Sequence, residues 1–236
     1  MPILNEDDSD FIFEEILPPD RILHRVRELC QQTCGKLGTS EPLMDVQVLA
    51  PMKKGLLGVE NLNRVLQAAL NPAEQHKPEH TFGDTLFRQG DKIMQIKNDY
   101  KVSWTRQDGT GAFQEGTGVF NGDLGTLYRL DTVNKTMHIL FDDGRLAEYT
   151  FTQSDELDLA YCISIHKSQG SEFPTVLLPL AGGPAMLLNR NLLYTAVTRA
   201  RGLVYCLGHR DTVARMVRTV QSRRRFTSLS VRLQEQ

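Results

Sequence analysis

The sequence predicts an α/β domain that is interrupted by a small antiparallel β-barrel. Apolar strand-like runs alternate with helical patterns in both the first and the last part of the chain. Between residues 86 and 151 the pattern changes to short alternating runs separated by turn signals such as Asn121-Gly122-Asp123. We therefore expect a discontinuous α/β domain at residues 1–85 and 152–220, a barrel insert at 86–151, and a basic tail at 221–236.

Before the insert, the spacing predicts two helices around one buried strand. Asp20 is a candidate N-cap for a helix that runs to Gly35, and a short strand is predicted before it at Phe11–Phe13. The uninterrupted apolar run Val46–Ala50 predicts a buried strand. Leu57–Leu70 has apolar residues on one face at helical spacing, so a second helix is expected there.

The insert and the last part of the chain follow the same two patterns. Predicted barrel strands are Ile93–Ile96, Val119–Phe120, Gly125–Leu130, Thr136–Phe141 and Leu146–Phe151. Gln107–Gly118 is rich in glycine and polar residues and is expected to be a mobile loop. After the insert, strands are predicted at Leu157–Ile163, Val176–Leu180 and Leu203–Leu207, with helices at Asn191–Ala200 and Thr212–Val220.

Composition excludes several classes of protein. The net charge of −2 gives no overall positive field, but residues 1–20 carry seven acids and no Lys or Arg, whereas residues 186–236 carry ten arginines and two acids. No apolar run reaches the length of a membrane span, and the acidic N-terminus is not a signal peptide, so a cytoplasmic protein is expected. Four cysteines without a CxxC pair predict no structural metal site.

Two polar segments stand out as candidates for chemistry. The first is the segment 160–174, in which a strand-like run leads into a turn with His166, Lys167, Ser168, Gln169 and Gly170. This polar turn is expected at the carboxyl ends of the strands. The second ends a predicted helix with Arg199 and Arg201, which could complement the helix dipole or act on a ligand. Phosphate-loop, dinucleotide-binding and nucleophile-elbow patterns are all absent from the sequence, so a self-sufficient P-loop NTPase is not expected.

Four segments in order carry a resemblance to a known family. Residues 164–173 resemble the fifth helicase motif of superfamily 1, and Leu-Leu-Tyr-Thr-Ala-Val-Thr-Arg-Ala-Arg (192–201) resembles the sixth. Residues 48–55 are similar to the segment that opens a second motor domain, and residues 87–98 with 120–125 resemble the entry to an SH3-like barrel. Together they resemble the carboxyl-terminal half of RecD-like helicases, the family of the exodeoxyribonuclease V alpha subunit, with UvrD-like C-terminal motifs. The resemblance implies a RecA-like (P-loop NTPase-type) second motor domain with an inserted SH3-like β-barrel.

The resemblance also implies residue roles. Arg199 matches the arginine finger, a permanently charged fork suited to the charge that develops on a transferred phosphoryl group. The residues implied to approach the nucleotide are Gly170, Glu172, Lys54 and Arg201. The residues implied to face single-stranded DNA are Ser164, His166, Lys167 and Lys97. Lys54 stands where the family often has arginine, so it is either a phosphate sensor or a solvated lysine. Trp104, the sole tryptophan, could stack on bases or belong to the barrel core.

The expected function is the second motor half of an ATP-dependent DNA helicase that moves 5′ to 3′ and acts in DNA recombination and repair. ATP with Mg²⁺ would bind only when an N-terminal RecA-like motor domain, in the same or another chain, completes the site, and the chain alone is expected to be inactive. Single-stranded DNA is the other expected partner, and no membrane is expected. Two alternatives remain open: a non-catalytic DNA-binding or scaffold remnant of a helicase, and the C-terminal helicase part of a conjugative relaxase.

Overall fold

The computed structural model describes residues 9–36, 42–109, 111–184 and 187–220, so the predicted basic tail lies outside the described residues. In chain order the elements are β1 (Phe11–Glu15), α1 (Pro19–Lys36), α2 (Pro42–Asp45), β2 (Val46–Ala50), α3 (Val59–Leu70), β3 (Glu79–Phe82), β4 (Thr85–Arg88), β5 (Lys92–Gln95), β6 (Asp99–Gln107), β7 (Phe113–Val119), β8 (Leu124–Asp131), β9 (Thr136–Phe141), β10 (Leu146–Thr150), a 3₁₀ helix (Phe151–Glu156), β11 (Leu157–Leu159), β12 (Cys162–Ser164), β13 (Phe173–Leu180), α4 (Arg190–Val197), β14 (Ala200–Gly208) and α5 (Arg210–Arg218). Within the described residues, no helix is long and apolar enough to span a membrane.

Five parallel strands form the α/β part of the molecule, in the order β1-β14-β13-β2-β12. The central strands are mostly apolar because helices cover both faces of such a sheet, and all five residues of β2, including Gln47, are buried. Strands from both ends of the chain build this one sheet, while residues between them form a second sheet. The predicted fold class, an α/β domain interrupted by an antiparallel insert, is confirmed.

The second sheet contains seven antiparallel strands in the order β11-β5-β8-β9-β10-β6-β7, and β3 pairs with β4 in a separate hairpin. Strand β9 alternates between buried and partly exposed residues, as expected when one face packs on a core. In β9 the buried members are Met137, Ile139 and Phe141.

The predicted strand Leu157–Ile163 is wrong as a single element. β11 pairs antiparallel with β5 in the seven-stranded sheet, whereas β12 pairs parallel with β2 in the five-stranded sheet. Ala160 and Tyr161 lie between the two strands and are buried as well. Because the residues on either side of the break, Leu159 to Ile163, are all buried, no exposed polar residue marks the change of sheet there. The antiparallel sheet therefore extends beyond the predicted limit at residue 151.

The predicted mobile loop Gln107–Gly118 is also wrong, because β6 and β7 pair as a long antiparallel hairpin. The residues of β7 before its last two are mostly exposed, so this strand has little buried face to impose an apolar alternation on the sequence. Trp104 lies opposite Gly116 across this hairpin. A Cβ placed on Gly116 would come within 2.4 Å of the Trp104 ring, so glycine is required there for packing. The guanidinium of Arg145 lies 5.8 Å from the same ring.

A Gly116→Ala substitution should therefore disturb the hairpin. Its methyl group would displace the Trp104 ring, at a cost of about 1–3 kcal/mol in the free energy of unfolding. Tryptophan fluorescence reports on this site alone, because Trp104 is the sole tryptophan. We expect a red-shifted emission and a lower midpoint of denaturation. Gly109→Ala in the same hairpin is the matched control, since its Cβ would meet no atom within 4 Å; equal behaviour of the two variants would contradict the packing argument.

Asp91 is buried where the two sheets meet, and four donors converge on its carboxylate. The side-chain amides of Gln67 and Asn71 donate to it at 2.6 and 2.7 Å, and the Tyr161 hydroxyl donates at 2.8 Å. The backbone N–H of Arg88 donates a fourth bond at 2.6 Å. Burial raises the pKa of this carboxyl, although the hydrogen bonds favour its charged form. One carboxylate thus ties α3, the end of β4 and the residue before β12 together.

Lys92 is buried beside Asp91 and makes a second link between the sheets. Its ammonium group donates to the backbone carbonyls of Leu43 and Val46, both at 3.1 Å. The same nitrogen lies 5.9 Å from the centre of the Phe173 ring. Because Lys92 begins β5 and Phe173 begins β13, this lysine connects the antiparallel sheet to one edge of the parallel sheet.

Candidate nucleotide and nucleic-acid site

The candidate residues lie at two opposite edges of the parallel sheet. Ser164 pairs with Ala50 at the carboxyl ends of β12 and β2, whereas Phe173 pairs with Ala200 at the amino ends of β13 and β14. The register of β13 against β2 separates the two levels by six residues, or roughly 20 Å. The polar turn that begins at His166 thus follows the carboxyl end of β12, as expected. The segment then crosses to the other edge, so that Glu172 lies next to the amino end of β13.

At the amino edge, Arg199 is held by three oxygen atoms. Its Nη1 donates to the backbone carbonyl of Ser171 at 3.0 Å, and its Nε donates to that of Thr195 at 3.2 Å. Nη2 lies 3.3 Å from the Thr198 hydroxyl. The backbone carbonyl of Arg199 accepts a bond from the N–H of Phe173 at 2.8 Å. Hydrogen bonds of Arg199 thus join the two helicase-like segments, residues 164–173 and 192–201.

Glu172 and Arg201 form an ion pair next to this contact. Nε of Arg201 lies 3.0 Å from Glu172 Oε2, and both side chains are more than half exposed. An exposed pair of this kind adds little stability, so either group can be released to a ligand at small cost. Arg199, Arg201 and Glu172 thus place two cations and one carboxylate close to one another.

Gly170 introduces the turn that leads into this edge. Its φ of +93° lies in the region that favours glycine, and a Cβ there would meet no atom within 4 Å. The backbone conformation, rather than close packing within the chain, therefore requires glycine at this position, and the surface beside it is open.

Lys54 is not brought to Arg199. It lies in the loop after β2, at the carboxyl edge, with its side chain exposed. The loop is wound tightly onto α3, because the N–H groups of Val59 and Glu60 donate to the carbonyls of Met52 and Lys53. The first amides of α3 are therefore occupied by this loop. The role of Lys54 in sensing phosphate remains a prediction.

The carboxyl edge holds the three candidate DNA residues of the α/β part. The Ser164 hydroxyl accepts a bond from the N–H of Lys167 at 3.3 Å, and the Ser164 carbonyl accepts one from Ser168 at 3.2 Å. This turn leaves His166 and Lys167 exposed, side by side at the end of β12.

Lys97 and Lys167 both pair with carboxylates of the segment that connects the two sheets. Lys97, from the turn after β5, is ion-paired with Asp155, and Lys167 Nζ lies 3.5 Å from Asp158 Oδ2. The hydrogen bond from Lys97 to Asp155 raises the pKa of the lysine. We call the carboxylates of Asp155, Glu156 and Asp158 the acidic connection. It brings the two predicted DNA cations to one side of the molecule.

An aromatic pair that the sequence did not single out lies near Lys97. The rings of Tyr100 and Phe120 meet edge to face with centroids 5.9 Å apart, and Tyr100 is 67% and Phe120 45% exposed. The neighbouring turns are joined because Asn98 accepts a bond from the N–H of Asn121 at 2.8 Å. Trp104, by contrast, is packed on Gly116. An exposed aromatic residue next to a lysine and a turn was the signal that could have identified this pair.

Two family models match the chain, and they define the class of protein. The model described as "ATP-dependent RecD-like DNA helicase SH3 domain" matches residues 62–141, and that described as "UvrD-like helicase C-terminal domain" matches residues 159–207. These matches confirm the expected SH3-like insert and the resemblance to a UvrD-like helicase C-terminal domain. Arg199, Glu172, Arg201 and the turn after β12 all lie in the second match.

The similar proteins include helicases and helicase subunits of the RecD type. The chain is 37% identical over 163 residues to the ATP-dependent RecD2 DNA helicase of Deinococcus radiodurans, which covers 69% of this chain and 20% of that protein. It is 29% identical over 162 residues to the RecBCD enzyme subunit RecD of Mycolicibacterium smegmatis, which covers 69% of this chain and 25% of that protein. The resemblance to the carboxyl-terminal part of RecD-like helicases is therefore confirmed. The chain spans about a fifth to a quarter of the length of these two relatives.

A solved structure with a similar fold is a Pif1 helicase from Bacteroides in complex with ADP-AlF3 and single-stranded DNA. It is 17% identical to this chain, with a TM-score of 0.46, and the match covers 94% of this chain and 54% of that one.

Proposed function

We propose that this chain acts as the second motor half of an ATP-dependent DNA helicase of the RecD type, moving 5′ to 3′ in DNA recombination and repair. The observation that carries the proposal is the fastening of Arg199 to the carbonyl of Ser171, next to the Glu172–Arg201 pair, within the segment that matches a helicase C-terminal domain. A guanidinium held by fixed oxygens at an open edge is preorganised for a developing phosphoryl charge.

The amino edge is proposed to bind one side of a nucleoside triphosphate. Arg199 and Arg201 supply two cations beside the single carboxylate of Glu172, and the surface beside Gly170 is open. In this proposal Arg199 contacts the terminal phosphoryl group, Glu172 and Gly170 approach the nucleotide from the ribose side, and Arg201 exchanges Glu172 for phosphate. ATP supplies the free energy for movement, with Mg²⁺ held by a first motor domain. Lys54 would join this set only if the loop after β2 moved.

Single-stranded DNA is proposed to follow the carboxyl edge and the near side of the SH3-type domain. Ser164, His166 and Lys167 contact the backbone at the end of β12, and Lys97 contacts it in the turn after β5. The Tyr100–Phe120 pair offers apolar ring surface for bases, which stack on aromatic side chains without regard to sequence. The acids of β1 lie at the opposite margin of the sheet, because β1 and β12 are its two outer strands.

Fluorescence anisotropy with a labelled oligothymidine tests the DNA assignment on the chain alone. We expect a dissociation constant on the order of 10⁻⁴–10⁻⁶ M that rises steeply with salt, because few phosphates are contacted and each contact releases counterions. Lys97→Gln and Lys167→Gln should each weaken binding and lower the salt slope by about one.

Arg129→Gln is the control for these variants, since Arg129 is exposed and paired with Asp131 outside the proposed track. Tight, salt-insensitive or duplex-selective binding would contradict the track and favour a scaffold role for the chain. An equal loss of affinity in all three variants would show that net charge, rather than position, governs binding.

A further inference from the structure

The acidic connection joins the two halves of the proposed DNA track. Its three residues lie in the 3₁₀ helix and in β11, between the end of β10 and the start of β12. Lys97 belongs to the barrel and Lys167 to the turn after β12, yet each is ion-paired with this one segment. The track cations of both parts therefore face carboxylates that the chain itself supplies.

The two aspartates of the acidic connection contact the lysines, and the glutamate between them does not. Glu156 Oε2 accepts a bond from the Gln95 amide at 3.1 Å, and its backbone carbonyl accepts one from the N–H of Ile96 at 2.7 Å. Glu156 thus anchors the connection to the end of β5. Asp155 and Asp158 lie on either side of this anchor.

Both ion pairs are exposed enough for DNA to reach them. Lys97 and Asp155 are 53% and 45% exposed, and Lys167 and Asp158 are 42% and 40% exposed. Exposed pairs contribute little free energy and are easily exchanged for another anion. A phosphate can replace each aspartate without unfolding any element, because Glu156 keeps the backbone in place.

We propose that Asp155 and Asp158 compete with DNA phosphates for Lys97 and Lys167, so that the chain's own carboxylates partly block its track until a strand displaces them. The inference rests on the proposed function, since it needs both lysines to contact DNA. Its consequence is a DNA affinity held below what the lysines alone would give, which favours rapid release during stepwise movement. Both ion pairs, Lys97–Asp155 and Lys167–Asp158, are therefore autoinhibitory contacts.

The test is a double-mutant cycle measured by anisotropy with the same oligothymidine at low salt. Asp155→Asn should tighten binding about two- to fivefold, as expected from the loss of one exposed ion pair. In a Lys97→Gln background the same substitution should change binding little, because its partner is gone. Asp158→Asn should likewise tighten binding, and it should change binding little in a Lys167→Gln background. Both gains should shrink as salt rises above about 0.5 M.

Glu74→Gln is the control, because Glu74 is an exposed carboxylate that is ion-paired with Lys77 away from the track. Equal tightening by Asp155→Asn in both backgrounds, or by Glu74→Gln, would overturn the inference in favour of a general charge effect. If Asp155→Asn did not tighten binding although Lys97→Gln weakened it, the inference would be overturned and the track assignment would stand. Unchanged binding in Lys97→Gln and Lys167→Gln would overturn the track assignment and, with it, the inference.

Discussion

An Arg199→Ala variant, tested with a first motor domain supplied by fusion or as a second polypeptide, should lose about 10³-fold or more in kcat for DNA-stimulated ATP hydrolysis. Nucleotide affinity should change little, because an arginine finger acts on charge that appears in the transition state. The contacts of Arg199 with Ser171, Thr195 and Thr198 fix its position before the nucleotide arrives. The measurement is steady-state ATPase kinetics together with nucleotide binding.

Arg218→Ala provides the control for this prediction. Arg218 is also an arginine at the end of a helix, α5, and its side chain is exposed. Its removal should leave kcat unchanged. If Arg199→Ala altered affinity alone, or nothing, Arg199 would be a helix-end cation like Arg218. The chain by itself should show no turnover, since its sequence has no phosphate loop, and robust hydrolysis by the chain alone would contradict a half-site.

Asp91→Ala should lower the free energy of unfolding by about 3 kcal/mol or more, the largest loss expected for any substitution proposed for this chain. It would leave the donors of Gln67, Asn71, Tyr161 and Arg88 without their acceptor, and each orphaned buried donor costs about 1–3 kcal/mol. Urea denaturation measures the effect. Asp84→Ala, at an exposed turn position, should change the free energy of unfolding by less than about 0.5 kcal/mol.

The same carboxyl predicts a pH dependence of stability. Because burial raises the native pKa of Asp91, the native state binds its proton more firmly than the unfolded chain does. The contribution of Asp91 to the free energy of unfolding therefore falls as pH rises from the ordinary value of about 4 to the raised native value. An Asp91→Asn variant lacks this titration. The stability of the wild type relative to that variant should decrease across this window, and an increase would contradict the direction of the shift.

Much of the fold was predictable because helices and strands that pack on a core show a periodic pattern of apolar residues in the sequence. β2, α3 and the strands β8–β10 lie close to their predicted positions, since each has an apolar face against a core. The hairpin β6–β7 was missed because the mostly exposed strand β7 needs no apolar alternation. The packing of Trp104 against a glycine of β7 leaves no local pattern either. The split of Leu157–Ile163 was missed because burial on both sides of the break hides a change of partner.

The candidate site shows a similar division. Motif order pointed to Arg199, Glu172 and Arg201, and the structure brings these three together. The separation of Ser164 from Glu172 by the height of the sheet depends on strand register, which no local pattern encodes. The pairing of Lys97 and Lys167 with the acidic connection is likewise a long-range contact. The sequence indicated the cations and gave no sign of what they contact.

The buried ammonium of Lys92 has a practical consequence for protein engineering. A truncation that removed the barrel to isolate a minimal α/β domain would strip the carbonyls of Leu43 and Val46 of their donor and expose the face of Phe173. It would also leave the amides of Gln67 and Asn71 without Asp91. Such a deletion needs compensating substitutions on α2, α3 and the start of β13, because the barrel is not a detachable module.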